Sequence, residues 1–144
     1  MDRAMKILAV DLGKARTGLA VCDEMELLAS PVGTIAEYNR ENLCRKVAEQ
    51  ARKLHVEEIV LGLPKNMDGS EGESAQNARE FAHMLEETSG IPVVLRDERL
   101  TTVSAHGYLN ATDTRGKKRK AVVDTVSAVL ILENYLAYRK NQQK

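Results

Sequence analysis

The hydrophobic and polar positions of the chain alternate in short blocks, which is the pattern of an α/β protein. Five apolar segments predict strands, at Ile7–Val10, Leu19–Cys22, Leu27–Ile35, Ile59–Leu61 and Ile91–Leu95. The first three follow one another with only short turns between them, so we expect an antiparallel meander. Pro31 favours an edge position for the third strand, because proline has no N–H to donate to a neighbouring strand.

Apolar residues recur at helical spacing after the meander. One set predicts a helix with Asn39 as its N-cap, on Leu43, Val47, Ala51 and Leu54. A second set predicts a helix that stops at Gly90, on Ala75, Ala78, Phe81, Ala82 and Leu85. Two more helices are predicted at Thr101–Asn110 and Arg119–Tyr138. This order predicts an α/β fold with a mixed five-stranded sheet, a three-strand antiparallel meander and then β-α-β-α, flanked by helices.

The composition indicates one globular domain. The chain has 144 residues, of which 43% are apolar and 29% charged, and we assign residues 1–139 to a single domain and 140–144 to a polar C-terminal tail. With one Phe, four Tyr and no Trp, it lacks the aromatic side chains on which many single-strand-binding proteins stack bases. Its 21 basic residues balance its 21 acidic ones, so net charge alone does not indicate a nucleic-acid partner.

The N-terminal segment and the cysteines indicate a cytoplasmic protein. The apolar run Ile7–Val10 reaches Asp11 too soon for the hydrophobic region of a signal peptide. No stretch approaches the roughly 20 apolar residues of a membrane span, so no membrane partner is expected. Cys22 and Cys44 are too few for a disulfide scaffold, and we expect both to be free thiols.

Three acidic residues stand where the carboxyl edge of the predicted sheet would gather them. Asp11 follows the first strand, Glu98 follows the fifth, and Asp124 lies within the apolar last helix. An acid inside a buried helix must be paired, hydrogen-bonded or bound to a metal. Converging carboxylates suit Mg²⁺ or Mn²⁺. Two such ions, about 3.5–4 Å apart, would clamp a phosphodiester.

A structural interpretation of the same acids remains open on spacing alone. A single Asp after a strand is commonly a turn residue or a helix cap, which would account for Asp11. Asp124 can pair with Lys120, which lies four positions earlier on the same helix. The spacing therefore supports a metal site without requiring one.

Two loops at the same edge combine glycine with polar residues. Asp11, Gly13 and Gly18 form the pattern D-x-G-x-x-x-x-G, which is either a plain hairpin turn or a close approach to phosphate. It is also similar to a phosphate motif of actin-like and sugar-kinase ATPases, but those proteins need two domains and this chain supplies one. The loop of residues 62–72 is either a solvated connection or a phosphate contact, through Lys65, Asn66 and Ser70.

Positive charge is concentrated just before the last helix. Residues 115–120 read Arg-Gly-Lys-Lys-Arg-Lys, which leaves 16 basic against 21 acidic residues in the rest of the chain. Such a run is commonly a solvated surface segment, but this one leads directly into the helix of Asp124. We predict that it binds backbone phosphates, through Lys117, Lys118, Arg119 and Lys120.

The segment after Glu98 carries Arg99, Thr101 and Thr102 at the start of a predicted helix. The threonines either cap this helix or, with Arg99, form a phosphate site at its N-terminus.

Taken in order, these motifs resemble the YqgF/RuvX family over nearly the whole chain. The resemblance rests on the Asp11–Ala20 segment, the Gly62–Ser70 loop, the Asp97–Thr102 segment and the basic run before Asp124. It implies a ribonuclease-H-like fold related to the RuvC resolvases. The family is described either as a Holliday-junction resolvase or as a nuclease that matures the 5′ end of 16S rRNA. By resemblance, the metal-binding catalytic acids are Asp11, Glu98 and Asp124.

The sequence departs from the family pattern at two positions near these motifs. Cys22 stands where Ser is frequent, and Arg96 stands where Trp is frequent before Asp97. Neither position is one of the proposed acids. Arg96 is close enough in sequence to Glu98 for us to expect an effect on substrate contact.

We therefore predict a cytoplasmic endonuclease that uses two Mg²⁺ or Mn²⁺ ions on structured RNA, with precursor 16S rRNA as its substrate. Asp11 would bridge both ions, and Arg16, Lys65 and Arg99 would help the basic run to bind phosphates. One alternative is the same chemistry on four-way DNA junctions, for which symmetric cleavage requires a dimer. The other is a non-catalytic nucleic-acid-binding module. We expect a monomer or a weak homodimer.

Overall fold

A mixed five-stranded sheet forms the centre of the protein. The computed structural model describes residues 4–97 and 116–142, with the backbone alone for residues 116–124. The strands are β1 (Ile7–Asp11), β2 (Arg16–Cys22), β3 (Ala29–Ala36), β4 (Glu58–Leu63) and β5 (Val93–Asp97). Their order across the sheet is β3-β2-β1-β4-β5, with antiparallel pairing among β1, β2 and β3 and parallel pairing from β1 to β4 and β5. The predicted fold class, including the edge position of the strand with Pro31, is confirmed.

The predicted start of the third strand was wrong by two residues. Leu27 and Leu28 belong to the turn between β2 and β3, because their backbone N–H groups both donate to Asp23 Oδ1, each at 2.8 Å. Both leucine side chains are exposed. The hydrogen bonds to the Asp23 carboxylate thus keep these two apolar residues out of β3. They also hold the pKa of that carboxyl below its usual range.

Three helices are described, α1 (Arg40–Lys53), α2 (Glu73–Ser89) and α3 (Gly116–Gln142). Asn39 caps α1 as predicted, since its Oδ1 accepts from Asn42 N at 2.9 Å. The helix α2 ends at Gly90, whose φ of 73° lies in the left-handed region that glycine adopts freely. The helix α3 continues through Gln142 and so includes part of the predicted polar tail. The predicted helix at Thr101–Asn110 lies outside the described residues.

Each face of the sheet packs against its own set of helices, because side chains alternate along a strand. Leu8, Val10 and Leu61 face one side, where they pack with the buried residues of α1 and α2. Ile7 and Ala9 face the other side, where they pack with Ala128, Ile131, Leu132 and Tyr135 of α3. Both cysteines are buried and neither forms a disulfide, as predicted. Within residues 4–97 and 116–142, no helix is both long enough and apolar enough to cross a membrane.

A buried ion pair fixes the C-terminal end of α3 at the amino edge of the parallel strands. Arg139 donates from Nε and Nη2 to the two carboxylate oxygens of Glu26, at 2.8 and 3.0 Å, and the side chains are only 6% and 9% exposed. The same carboxylate accepts from the backbone N–H of Met5 at 2.8 Å. Close by, the Tyr135 hydroxyl donates to Glu58 Oε1 at 2.6 Å. Burial and the Glu58 carboxylate raise the pKa of Tyr135 above its usual range, so this hydroxyl stays protonated and remains a donor.

Replacing Glu26 with Gln should strongly destabilise the protein, because it leaves the buried Arg139 guanidinium without a counter-charge. We expect the free energy of unfolding to fall by about 3 kcal/mol, measured by urea denaturation. Glu24→Gln, in the exposed part of the same turn, removes an equal charge and should change stability by less than about 0.5 kcal/mol. Equal effects of the two variants would contradict a structural role for this pair.

Candidate active site

Asp11 is the last residue of β1 and lies at the carboxyl edge of the parallel strands. Its side chain is on the face covered by α3, because it continues the alternation of Ile7 and Ala9. The residue is partly buried and pairs across the sheet with Gly18 of β2. A carboxylate is therefore held between a strand end and a packed helix, where a charged group needs a polar or ionic partner.

The N-terminal part of α3 passes over this same edge of the sheet. Thr125 Oγ1 of α3 lies 3.2 Å from Thr34 Oγ1 of β3, which is within hydrogen-bonding distance. Thr34 pairs with Gly18, and Gly18 pairs with Asp11, so these three residues form one row across the meander. The backbone of Asp124, adjacent to Thr125, is therefore at the end of the sheet where Asp11 lies.

Gly18 lies in the middle of this row, between Asp11 and Thr34, and is buried. Any larger residue at this position would project from β2 toward α3, because paired residues of antiparallel strands point to the same face. The glycine of the D-x-G-x-x-x-x-G pattern thus keeps any side chain out of the buried position next to Asp11.

The turn after Asp11 is tightly constrained. A Cβ atom on Gly13 would lie 2.0 Å from the carbonyl oxygen of Arg16, so glycine is required there. The Gly13 carbonyl accepts from Arg40 Nη1 at 2.9 Å, which joins the turn to the start of α1. Arg16 begins β2 at the same edge, two residues before Gly18. The structure therefore places Arg16 at the edge that carries Asp11, while its phosphate contact stays a prediction.

The glycine-rich loop after β4 reaches the same edge, but two of its predicted phosphate ligands also hold the loop together. Asn66 Nδ2 donates to Ser70 Oγ at 2.9 Å, and Ser70 Oγ donates to Asp68 Oδ1 at 2.6 Å. Lys65 lies two residues beyond the end of β4 and makes no such bond within the described part of the loop. Glu71 forms a two-pronged pair with Arg79 of α2, with both hydrogen bonds at 2.7 Å. That guanidinium holds the pKa of the Glu71 carboxyl below its usual range.

The remaining predicted site residues lie at or beyond the limits of the described structure. Asp97 ends β5 and pairs with Leu63 of β4 at the carboxyl edge. The residues that follow it fall outside the described ranges, and these include Glu98, Arg99, Thr101 and Thr102. The first turns of α3 carry the basic segment as helical backbone, with Lys117, Lys118, Arg119 and Lys120. Their predicted roles, and that of Asp124, remain predictions.

No metal site is complete within the described side chains. Among them, no three His, Cys, Asp or Glu residues come together as a candidate site. Two of the three predicted ligands, Glu98 and Asp124, fall outside this set. Asp11 is therefore the one member of the predicted triad whose surroundings are described.

Arg96 connects the end of β5 to α3, a role that its sequence position did not reveal. Its Nη2 donates to Asn134 Oδ1 at 2.7 Å, and its guanidinium carbon lies 4.6 Å from the centre of the Tyr138 ring. A guanidinium over an aromatic face is an attractive arrangement. Asn134 and Tyr138 are four positions apart and hence share one face of the helix, which was the available sequence signal. The Nε atom of Arg96 is buried without a hydrogen-bond partner in the described structure.

Solved structures of resolvases share this architecture. RuvC from Thermus thermophilus, in complex with a Holliday junction substrate, matches with a TM-score of 0.61 at 13% identity, over 95% of this chain and 96% of that chain. The fowlpox virus Holliday junction resolvase matches with a TM-score of 0.54 at 15% identity, over 93% and 99%. The fold is therefore ribonuclease-H-like, of the type found in RuvC.

The sequence comparison narrows this class to one family. The family model described as "RuvX: Holliday junction resolvase" matches residues 5–138, and this chain belongs to that family. A relative from Desulfitobacterium hafniense is 43% identical over 141 residues, 96% of this chain and 98% of its own. One from Bacillus licheniformis is 42% identical over 134 residues, 92% of this chain and 96% of its own. Both carry the name "Putative pre-16S rRNA nuclease", and the predicted family is confirmed.

Replacing Gly13 with Ala should distort the turn beside Asp11, because the new Cβ would overlap the Arg16 carbonyl. We expect the free energy of unfolding to fall by about 1–3 kcal/mol, which lowers Tm by several degrees in thermal unfolding. Gly72→Ala is the matched control, since its Cβ would lie 3.7 Å from the nearest atom, Asn66 Nδ2. The control should cost less than about 1 kcal/mol. Indistinguishable Tm values would show that the turn tolerates a side chain.

Proposed function

We propose that this chain is a divalent-metal-dependent endonuclease that hydrolyses phosphodiester bonds in structured RNA, with the 5′ end of precursor 16S rRNA as its substrate. The observation that carries the proposal is the row of Asp11, Gly18 and Thr34 beneath Thr125, which brings the Asp11 edge and the Asp124 position together. The name of the relatives supports the choice of substrate. Maturation of rRNA would place the protein in the cytoplasm.

The donor chemistry at this edge fits Mg²⁺ or Mn²⁺. Asp11 supplies carboxylate oxygens, which these hard cations prefer over nitrogen or sulfur ligands. Gly18 pairs with Asp11 across the strands, and α3 brings the backbone of Asp124 to the same end of the sheet. Glu98 is the residue after Asp97, and Asp97 ends β5 at this edge. We assign the metal-holding and catalytic role to Asp11, Glu98 and Asp124, with two ions as the expected number.

In the proposed mechanism, one set of residues would hold the metal ions and another set would hold the substrate. When bound, the ions supply a Lewis acid for hydrolysis of the phosphodiester. The three acids would hold those ions at the sheet edge. The basic segment of residues 117–120 would bind phosphates on either side of the cleaved bond and so orient the strand. Arg16 and Lys65, at the same edge, would add further phosphate contacts.

A second candidate function is the same chemistry on four-way DNA junctions. The description of the family model and the RuvC-like fold favour it. A third, a nucleic-acid-binding module without catalysis, would share the binding residues but not need the acids. Incubation of the protein with Mn²⁺ and either a precursor 16S rRNA fragment or a synthetic junction separates the three. We expect cleavage of the RNA fragment, whereas cleavage of the junction alone, or of neither, would overturn the proposal.

Replacing Asp11 with Asn should abolish cleavage while leaving RNA binding intact, because an amide is a poor ligand for the ions yet has nearly the same shape. We expect the rate of cleavage of the precursor fragment to fall at least about 100-fold. Glu24→Gln removes one negative charge at the opposite edge of the sheet and should cleave at the wild-type rate. Undiminished cleavage by the Asp11 variant would exclude the mechanism.

Replacing Lys117 and Lys118 together with Ala should weaken RNA binding and its dependence on salt, because fewer counterions are released. The slope of log affinity against log salt concentration should become shallower by about 1 to 2, measured by fluorescence anisotropy. The control is Arg52→Ala with Lys53→Ala, which removes two adjacent exposed cations from the far end of α1. A slope unchanged from wild type would remove the basic segment from the binding surface.

A further inference from the structure

A small pocket with both polar and apolar lining lies beside the turn that follows Asp11, between this turn and the first residues of α1 and α2. Its volume is about 70 Å³, and its polar lining comes from Lys14, Arg40, Ser74 and Asn77. Pockets for drug-sized ligands measure roughly 300–1,000 Å³, so this pocket matches a single ionic group rather than a base. None of the residues that line it is acidic.

The charge of the pocket favours an anion. Lys14 and Arg40 bring two positive charges, and Ser74 and Asn77 add a hydroxyl and an amide donor. One N–H of Arg40 is held by the Gly13 carbonyl at 2.9 Å, which orients the guanidinium and leaves its other donors for a ligand. Within the described structure, the side chains of Lys14, Ser74 and Asn77 have no hydrogen-bond partner.

The surroundings limit where the anion can lie. A neighbouring groove shares Arg40 and Asn77 but includes the carboxylate of Glu80, one helical turn beyond Asn77. Repulsion by that carboxylate confines an anion to the Lys14 end. At this end the first turn of α2 follows Gly72, which provides no side-chain cap for the helix. Glu73, an exposed residue of this first turn that does not line the pocket, offsets part of the positive charge of the helix N-terminus, so Lys14 and Arg40 supply most of the attraction for an anion.

The pocket and Asp11 lie on the two faces of one sheet edge. Asp11 faces α3, whereas Leu12, the next residue, lines the pocket and packs against the cluster of α1 and α2. Gly13, which also lines the pocket, is two residues from Asp11, and two residues span at most about 7 Å. We propose that this pocket binds a backbone phosphate of the RNA strand, adjacent to the phosphate that is cleaved at Asp11. The proposal rests on the proposed function for the position of the cleaved phosphate.

Binding measured without metal tests the pocket independently of cleavage. The probe is an RNA hairpin that carries the 5′ end of precursor 16S rRNA, titrated in EDTA at several salt concentrations. Lys14→Ala should weaken binding several-fold and make the salt slope shallower by about 1. Lys53→Ala, an exposed lysine in the last turn of α1, should do neither. Equal effects of the two variants would overturn the proposal, even if Asp11→Asn abolishes cleavage. An effect of Lys14→Ala alone would support it, even if cleavage is not found.

Inorganic phosphate distinguishes a strand site from a site for a free anion. Its titration should shift the side-chain amide resonance of Asn77 in a saturable way, and Lys14→Ala should remove the shift. With the RNA hairpin bound at saturation, added phosphate should shift the Asn77 resonance no further, because the pocket is already occupied. A full phosphate-dependent shift in the presence of the hairpin would mean that the site serves a free anion, and the absence of any shift without the hairpin would mean that the pocket binds no phosphate. Either result would overturn the proposal.

Discussion

The packing of α3 across one face of the sheet is the constraint on which the rest of the structure depends. Ala128, Ile131 and Leu132 bury this helix against β1, β2 and β4. The Glu26–Arg139 pair holds one end of it at the amino edge, and the Thr34–Thr125 contact lies near the other end. With both ends located, the helix cannot slide along the sheet without losing a buried ion pair. The distance between the Asp11 edge and the start of α3 is set by this packing.

The net charge of zero hides an uneven distribution of charged residues along the chain. The 21 basic and 21 acidic residues are not evenly mixed, since residues 115–120 alone carry five positive charges. The basic segment opens the helix whose next turns pass over the Asp11 edge. In the proposed function, acidic side chains hold metal ions and basic side chains hold the phosphates of the substrate. The net charge of zero is then the sum of an acidic site and a basic site that act on the same substrate.

The sequence predicted the elements and the order of the sheet well, because alternation and helical spacing are local signals. It placed the third strand two residues too early, since the turn that Asp23 organises around Leu27 and Leu28 looks apolar in sequence. The Glu26–Arg139 pair and the Thr34–Thr125 contact join residues 113 and 91 positions apart. No local pattern reports such contacts. Asp11 could be predicted as a site residue because it ends a buried strand. The pocket lined by Lys14 and Arg40 could not, because it depends on the folded positions of two helices.

The binding of Mn²⁺, followed by paramagnetic broadening of backbone amide resonances, tests the central claim most directly. The claim is that the edge formed by Asp11, Gly18 and the start of α3 holds divalent cations. We predict that substoichiometric Mn²⁺ broadens the amides of Asp11, Gly18 and Thr125 first and leaves those of Met25 and Arg139, at the opposite edge, sharp. The Asp11→Asn variant should lose this selective broadening. Broadening that is uniform, centred on the opposite edge, or unchanged in the variant would contradict the account.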